Sequence, residues 1–83
     1  MPDKPGGPIR QRSIDIIQAG VVLLKEKQGY SQLQIVEKME ILEFIVSESA
    51  LSKIVRYKEG GNKILKIAAD GIQELIRREI GVE

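Results

Sequence analysis

The chain has 83 residues, 42% hydrophobic and 30% charged, with a formal net charge of +1. This is one small domain, able to bury about 60–65% of its unfolded surface. It contains no cysteine and no histidine, which removes disulfides, thiolate metal sites and the commonest general base together, so no catalysis, cofactor or metal is expected.

No apolar run approaches the roughly 18 residues of a membrane span, and the opening MPDKPGGP lacks the apolar stretch of a signal peptide. The expected location is cytoplasmic, with no membrane partner and no small-molecule ligand. Residues 1–8 hold all three prolines and two of the eight glycines and read as a flexible arm, with Lys4, Arg10 and Arg12 along it and its junction with the domain at 9–83.

From about Pro8 the pattern turns helical. Ile14, Ile17, Val21 and Leu24 recur at steps of three and four, Ile16 and Leu23 widen the stripe, and Gly20 inside it implies a close neighbour. Lys25 and Lys27 suit a helix C-terminus, and Gly29 is the expected stop. Ser31-Gln32-Leu33-Gln34 reads as a capping box opening a second helix, with Leu33, Val36, Met39 and Leu42 on its inner stripe. MEILEFIV, residues 39–46, contains no helix breaker, and a prolonged helix, a buried turn or a short strand all fit it.

SESALSKIVRYKEGG, residues 47–61, predicts a third helix. Ser47 or Ser49 is its N-cap, and Gly60-Gly61 ends it. Leu51, Ile54 and Val55 face inward with Ala50 at the margin, and Tyr57 is expected to pack on the core more readily than to reach out. Asn62 is the expected cap of a fourth helix, whose apolar positions are Leu65, Ala68, Ala69, Ile72, Leu75, Ile76 and Ile80, with Gly81 as its stop. Asp70-Gly71 in its middle allows division into two. The expected fold is an all-α bundle of four or five helices. Asp70 and Glu74 lie at i, i+4, but such a pair without metal ligands is ordinarily a solvated helix face and does not argue for an enzyme.

Charge is unevenly placed. Residues 49–66 carry five cations against one acid, a net +4, whereas residues 31–48 carry one cation against four acids, a net −3. Helical spacing sets Ser49, Lys53 and Arg56 in one outer row with Glu48 and Ser52 alongside. Short hydroxyls among long cations suit a major groove about 12 Å wide with phosphates at its edges. A plain solvated face of mixed charge is the alternative.

The order of these residues resembles a known family. Ser31-Gln32 through Met39, then Val46-Ser47-Glu48-Ser49-Ala50-Leu51-Ser52-Lys53-Ile54, Arg56-Tyr57-Lys58, and finally Ile64-Leu65-Lys66-Ile67-Ala68-Ala69-Asp70 are similar to the Cro/repressor (XRE) type of helix-turn-helix over roughly residues 12–80. The family's alanine in the second helix is Val36 here, its following glycine is Glu40, and the glutamate after the isoleucine of its third helix is Val55. Between Ile41 and Ser47 the chain has about five residues more than the family's tight turn.

The resemblance implies a lambda-repressor-like fold and binding of double-stranded DNA as a transcriptional regulator, with helix 47–58 reading the major groove. It implies that Gln32 bonds a phosphate or braces the reading helix, that Glu48, Ser49, Ser52 and Lys53 face base edges, and that Arg56, Lys58 and Lys63 contact backbone. Glu48 can accept from cytosine N4 or can simply be an acid favoured at a helix N-terminus. One short helix reads few bases, so a homodimer is expected, with Ile72, Leu75, Ile76 and Ile80 as its candidate surface unless they all serve the core of the monomer. The competing expectation is a helical protein-interaction module that binds no nucleic acid and docks through residues 41–46.

Overall fold

The computed structural model describes residues 7–81. They form four α-helices: α1 (Gly7–Gln28), α2 (Gln32–Ile41), α3 (Glu48–Tyr57) and α4 (Asn62–Glu79), with no strand among the described residues. The arm expected at residues 1–8 lies almost wholly outside them. Helical backbone begins at Gly7, so Pro8 belongs to the first turn of α1, where its missing N–H costs nothing.

α1 and α4 are the long pair, 22 and 18 residues, and they pack on each other more extensively than any other two elements. All four expected inner residues of α1 are buried, as are Leu51 and Ile54 of α3 and Leu65, Ala68, Ala69, Ile72 and Leu75 of α4. Gly20 faces Ile72 and Ile76 of α4 so closely that a Cβ there would collide with the Ile72 side chain. The close neighbour expected at Gly20 is therefore α4.

Several expectations shift. The inner face of α2 is Ile35, Val36 and Met39, whereas Leu33 is exposed and Leu42 only half-buried. Ile35, Val36 and Met39 at i, i+1 and i+4 form a tighter inward stripe than a strict step of three, and Leu33 lies on its far side. Tyr57 is also exposed. A three-residue step advances only 300°, so the stripe from Leu51 through Ile54 has drifted off the core by Tyr57.

α2 stops at Ile41 without glycine or proline. Glu43 takes a left-handed conformation, φ 73°, its N–H bonding the Glu40 carbonyl at 2.8 Å and that of Phe44 bonding the Met39 carbonyl at 2.9 Å. This is a Schellman ending with glutamate where glycine is usual. Residues 44–47 then form neither helix nor strand, with Phe44 half-buried, Val46 buried and Ile45 exposed.

α3 likewise ends before its expected stop. Lys58 is left-handed, φ 58°, so Gly60 and Gly61 belong to the following turn. Gly61, not Asn62, is the N-cap of α4, and no side chain caps it. α4 runs unbroken through Asp70-Gly71, so there are four helices and not five. Gly71 is spent on packing, since Phe44 and Met39 lie against its backbone.

Candidate nucleic-acid interface

Two serine caps aim the relevant helices. Ser31 Oγ accepts from the Gln34 amide at 3.2 Å while Gln34 Oε1 accepts from the Ser31 amide at 2.8 Å, completing the expected capping box. Ser47, of the two candidates, caps α3 by accepting from the Ala50 amide at 3.0 Å. With the cap fixed, Leu51 and Ile54 go fully inward, and Ser49, Lys53 and Arg56 come out on the opposite side, all exposed. Ser52 is half-buried on the flank of that row, and Glu48 is exposed in the first turn, where the helix dipole favours an acid.

Two contacts from α1 hold α3 and the turn after it. Gln18 Nε2 donates to the Val55 carbonyl at 3.0 Å. Arg10 Nη1 donates to the Gly60 carbonyl at 2.6 Å and to Asn62 Oδ1 at 3.2 Å. Asn62, expected to cap its own helix, instead receives this guanidinium.

Ser49 and Lys53 face Glu59, Gly60, Gly61 and Ile64 across a shallow groove of about 460 Å³. Lys58 and Lys63, both exposed, flank this turn. The uncapped first-turn amides of α4 lie beside Lys63, and such amides hydrogen-bond anions readily. Gln32 is half-buried at the start of α2 and does not line the groove. The structure thus gathers Ser49, Lys53, Arg56, Lys58 and Lys63 along α3 and the α3–α4 turn, and leaves Gln32 on a separate helix.

Among the described residues, ion pairs occur only within α4: Lys66 with Asp70 at 3.5 Å, and Glu74 with both Arg77 and Arg78. Lys53, Arg56, Lys58 and Lys63 have no carboxylate partner among those residues. The Asp70–Glu74 pair is likewise resolved into separate contacts with cations of its own helix. No group of three or more acidic side chains able to hold a metal is present among the described residues.

Arg10 has a role that its place in the sequence does not announce. Assigned to the junction of the arm, it reaches a turn fifty residues away, a contact that no local pattern announces. The dimer surface expected on α4 is largely consumed by the monomer. Ile72 and Leu75 are buried in the core, and only Ile76 and Ile80 remain half-buried, because α1 lies along the same face.

Fold and site define a small all-α protein with a basic row, unpaired among the described residues, on a short, serine-capped helix. No family model, no curated protein and no solved structure matches the chain. No helix among the described residues is long and apolar enough to cross a membrane.

Proposed function

We propose that this protein binds double-stranded DNA as a sequence-specific transcriptional regulator, with α2 and α3 as a wide-turned helix-turn-helix and α3 in the major groove. The observation that carries this reading is the row Ser49, Lys53 and Arg56 on the outward face of α3, continued by Lys58 and Lys63, with no carboxylate paired to its cations among the described residues. A surface evolved only for solubility interleaves charges of both signs, as α4 does.

Ser49, Ser52 and Lys53 supply base-edge contacts in this reading, and Arg56, Lys58 and Lys63 bind phosphate. The α4 amides add phosphate contacts at the turn. The acidic stretch 37–48 repels phosphate, so the backbone contacts lie at the C-terminal end of α3 and the α3–α4 turn. Selectivity then needs at least two copies on one site, since one short helix reads only a few base pairs.

The test is fluorescence anisotropy of a labelled mixed-sequence duplex at two salt concentrations. Three phosphates neutralised by Arg56, Lys58 and Lys63 give a log–log salt slope of about −2.7, hence a loss of about 40-fold in affinity between about 50 and 200 mM salt. No binding at the lower salt overturns the reading.

A second reading is favoured by one specific observation. Ile41 is 78% exposed and Ile45 60%, two large aliphatic side chains on one short connection, as a protein-docking module without nucleic-acid binding would require.

A further inference from the structure

The connection between α2 and α3 is an apolar projection in an acidic setting. Ile41 at the end of α2 and Ile45 in the connection are exposed, as are Glu37 and Glu40 of α2 and Glu43 of the connection. It is also held in place. The Schellman bonds fix Glu43 and Phe44, Phe44 rests on the backbone of Gly71, and Val46 is buried between the exposed residues and α3.

A groove of the opposite character runs between α1 and α4. Its first stretch, about 440 Å³, has Ile16, Leu65 and Ala69 along its floor and Arg10, Arg12 and Lys66 on its rim. Its second stretch, about 400 Å³, continues over Ala19, Gly20, Leu23 and Ile76, and the two share Ile16 and Gln73. Asp70 is the acid lining it, and it is paired with Lys66. Arg10 and Arg12 have no carboxylate partner among the described residues, so the first stretch is positively charged around an apolar floor.

Projection and groove lie on opposite faces of α4. Gly71, which Phe44 covers, is two residues from both Ala69 and Gln73, which line the groove. Two residues turn an α-helix by about 200°. A molecule therefore cannot seat its own projection in its own groove.

We infer that the groove between α1 and α4 receives the Ile41–Ile45 projection of a second copy of this chain, giving a head-to-tail assembly. Apolar side chains meet an apolar floor, and Glu40 and Glu43 come to a rim bearing Arg10 and Arg12, so the contact is matched in both hydropathy and charge. Both halves are on every chain, on opposite faces. The contact is heterologous: of the two copies in it, one keeps its groove free and the other its projection, so assembly continues past two into a ring or a filament. Neither half uses Lys53, Arg56, Lys58 or Lys63, so the assembly stands or falls independently of DNA binding.

Sedimentation equilibrium of the full chain without nucleic acid tests this, over a concentration range of about 10 µM to 1 mM suited to a small contact. Two variants at exposed positions block one half each: Ile45→Asp removes the projection and Ala19→Arg fills the groove. Far-UV circular dichroism confirms that both fold. The wild type is expected to exceed the mass of a dimer as concentration rises, and less so at high salt. Each variant alone is expected to remain a monomer. An equimolar mixture of the two is expected to form a 1:1 dimer and stop, because one intact projection and one intact groove remain between them. A wild type that is monomeric throughout, an assembly that stops at two, or one that survives both variants overturns the inference. So does a mixture that stays monomeric.

Discussion

Gly71 of α4 lies directly under Phe44: a Cβ on Gly71 would stand 2.8 Å from the Phe44 Cβ and 3.0 Å from the Met39 Cε. The connection between α2 and α3 is thereby seated on the helix backbone itself. Because the obstacle is the root of a side chain and not its flexible end, Gly71→Ala is expected to destabilise the fold by about 1–3 kcal/mol, despite alanine's better helix propensity. Gly61→Ala is the control. It has open space around its Cβ position and an ordinary φ of −67°, and the entropic gain of alanine offsets glycine's advantage at an N-cap, so it is expected to be near neutral. Urea denaturation of the three proteins separates these outcomes.

Glu43 sits where a Schellman ending favours glycine, at φ 73°. Its side chain is exposed and makes no hydrogen bond or ion pair among the described residues. Glu43→Gly is expected to stabilise by about 0.5–1 kcal/mol, the relief of left-handed strain exceeding glycine's extra entropy in the unfolded chain. The denaturation midpoint should rise with an unchanged slope. A fall would mean that the carboxylate does something the contacts do not reveal.

Tyr30 Oη donates to Glu79 Oε1 at 2.7 Å, and the Lys38 ammonium lies 4.9 Å from the ring centre. The hydrogen bond to Glu79 is the main cause raising the phenol above its usual value of 10.0, with burial and the Glu79 charge adding to it. A raised folded-state value means that the neutral phenol stabilises the fold. That contribution is complete below the unfolded value and is lost as pH rises through the folded one. Wild type is therefore expected to be more stable than Tyr30→Phe at pH 7 and to lose that advantage in the alkaline range above about 10. Thermal unfolding of both proteins across that range reads the difference, which will be small at so exposed a contact.

Within the DNA reading, individual side chains have different signatures. Arg56→Ala should reduce the salt slope by about 1, whereas Lys53→Ala should relax the preference among bases. Arg56→Ala should weaken all sequences alike, whereas Ser49→Ala and Ser52→Ala should leave the slope unchanged and alter the preference among sequences. Glu48→Ala divides its two roles. Lost discrimination at one cytosine marks a base contact, while uniformly tighter binding marks an acid that only served the helix dipole. Anisotropy titrations against a selected site and a scrambled one measure all of these.

The positions of the helices and part of their capping were legible in the residues alone, because those are short-range matters. The Ser31–Gln34 capping box, the Ser47 cap, the left-handed stops at Gly29 and Gly81 and the inner stripe of α1 all follow from residues within one or two turns of each other. The outward row of α3 was legible for the same reason, since a cap and a buried stripe fix the opposite face.

Only the tertiary structure decided what depends on distant neighbours. Gly71 looks like a break in sequence but is a seat for Phe44; Asn62 looks like a cap but receives Arg10; Ile72 and Leu75 look like surplus for a partner but fill the core against α1. Glycine, asparagine and isoleucine each fit several local roles at similar cost, and the choice among them falls to whichever side chain, far along the chain, occupies the adjoining space.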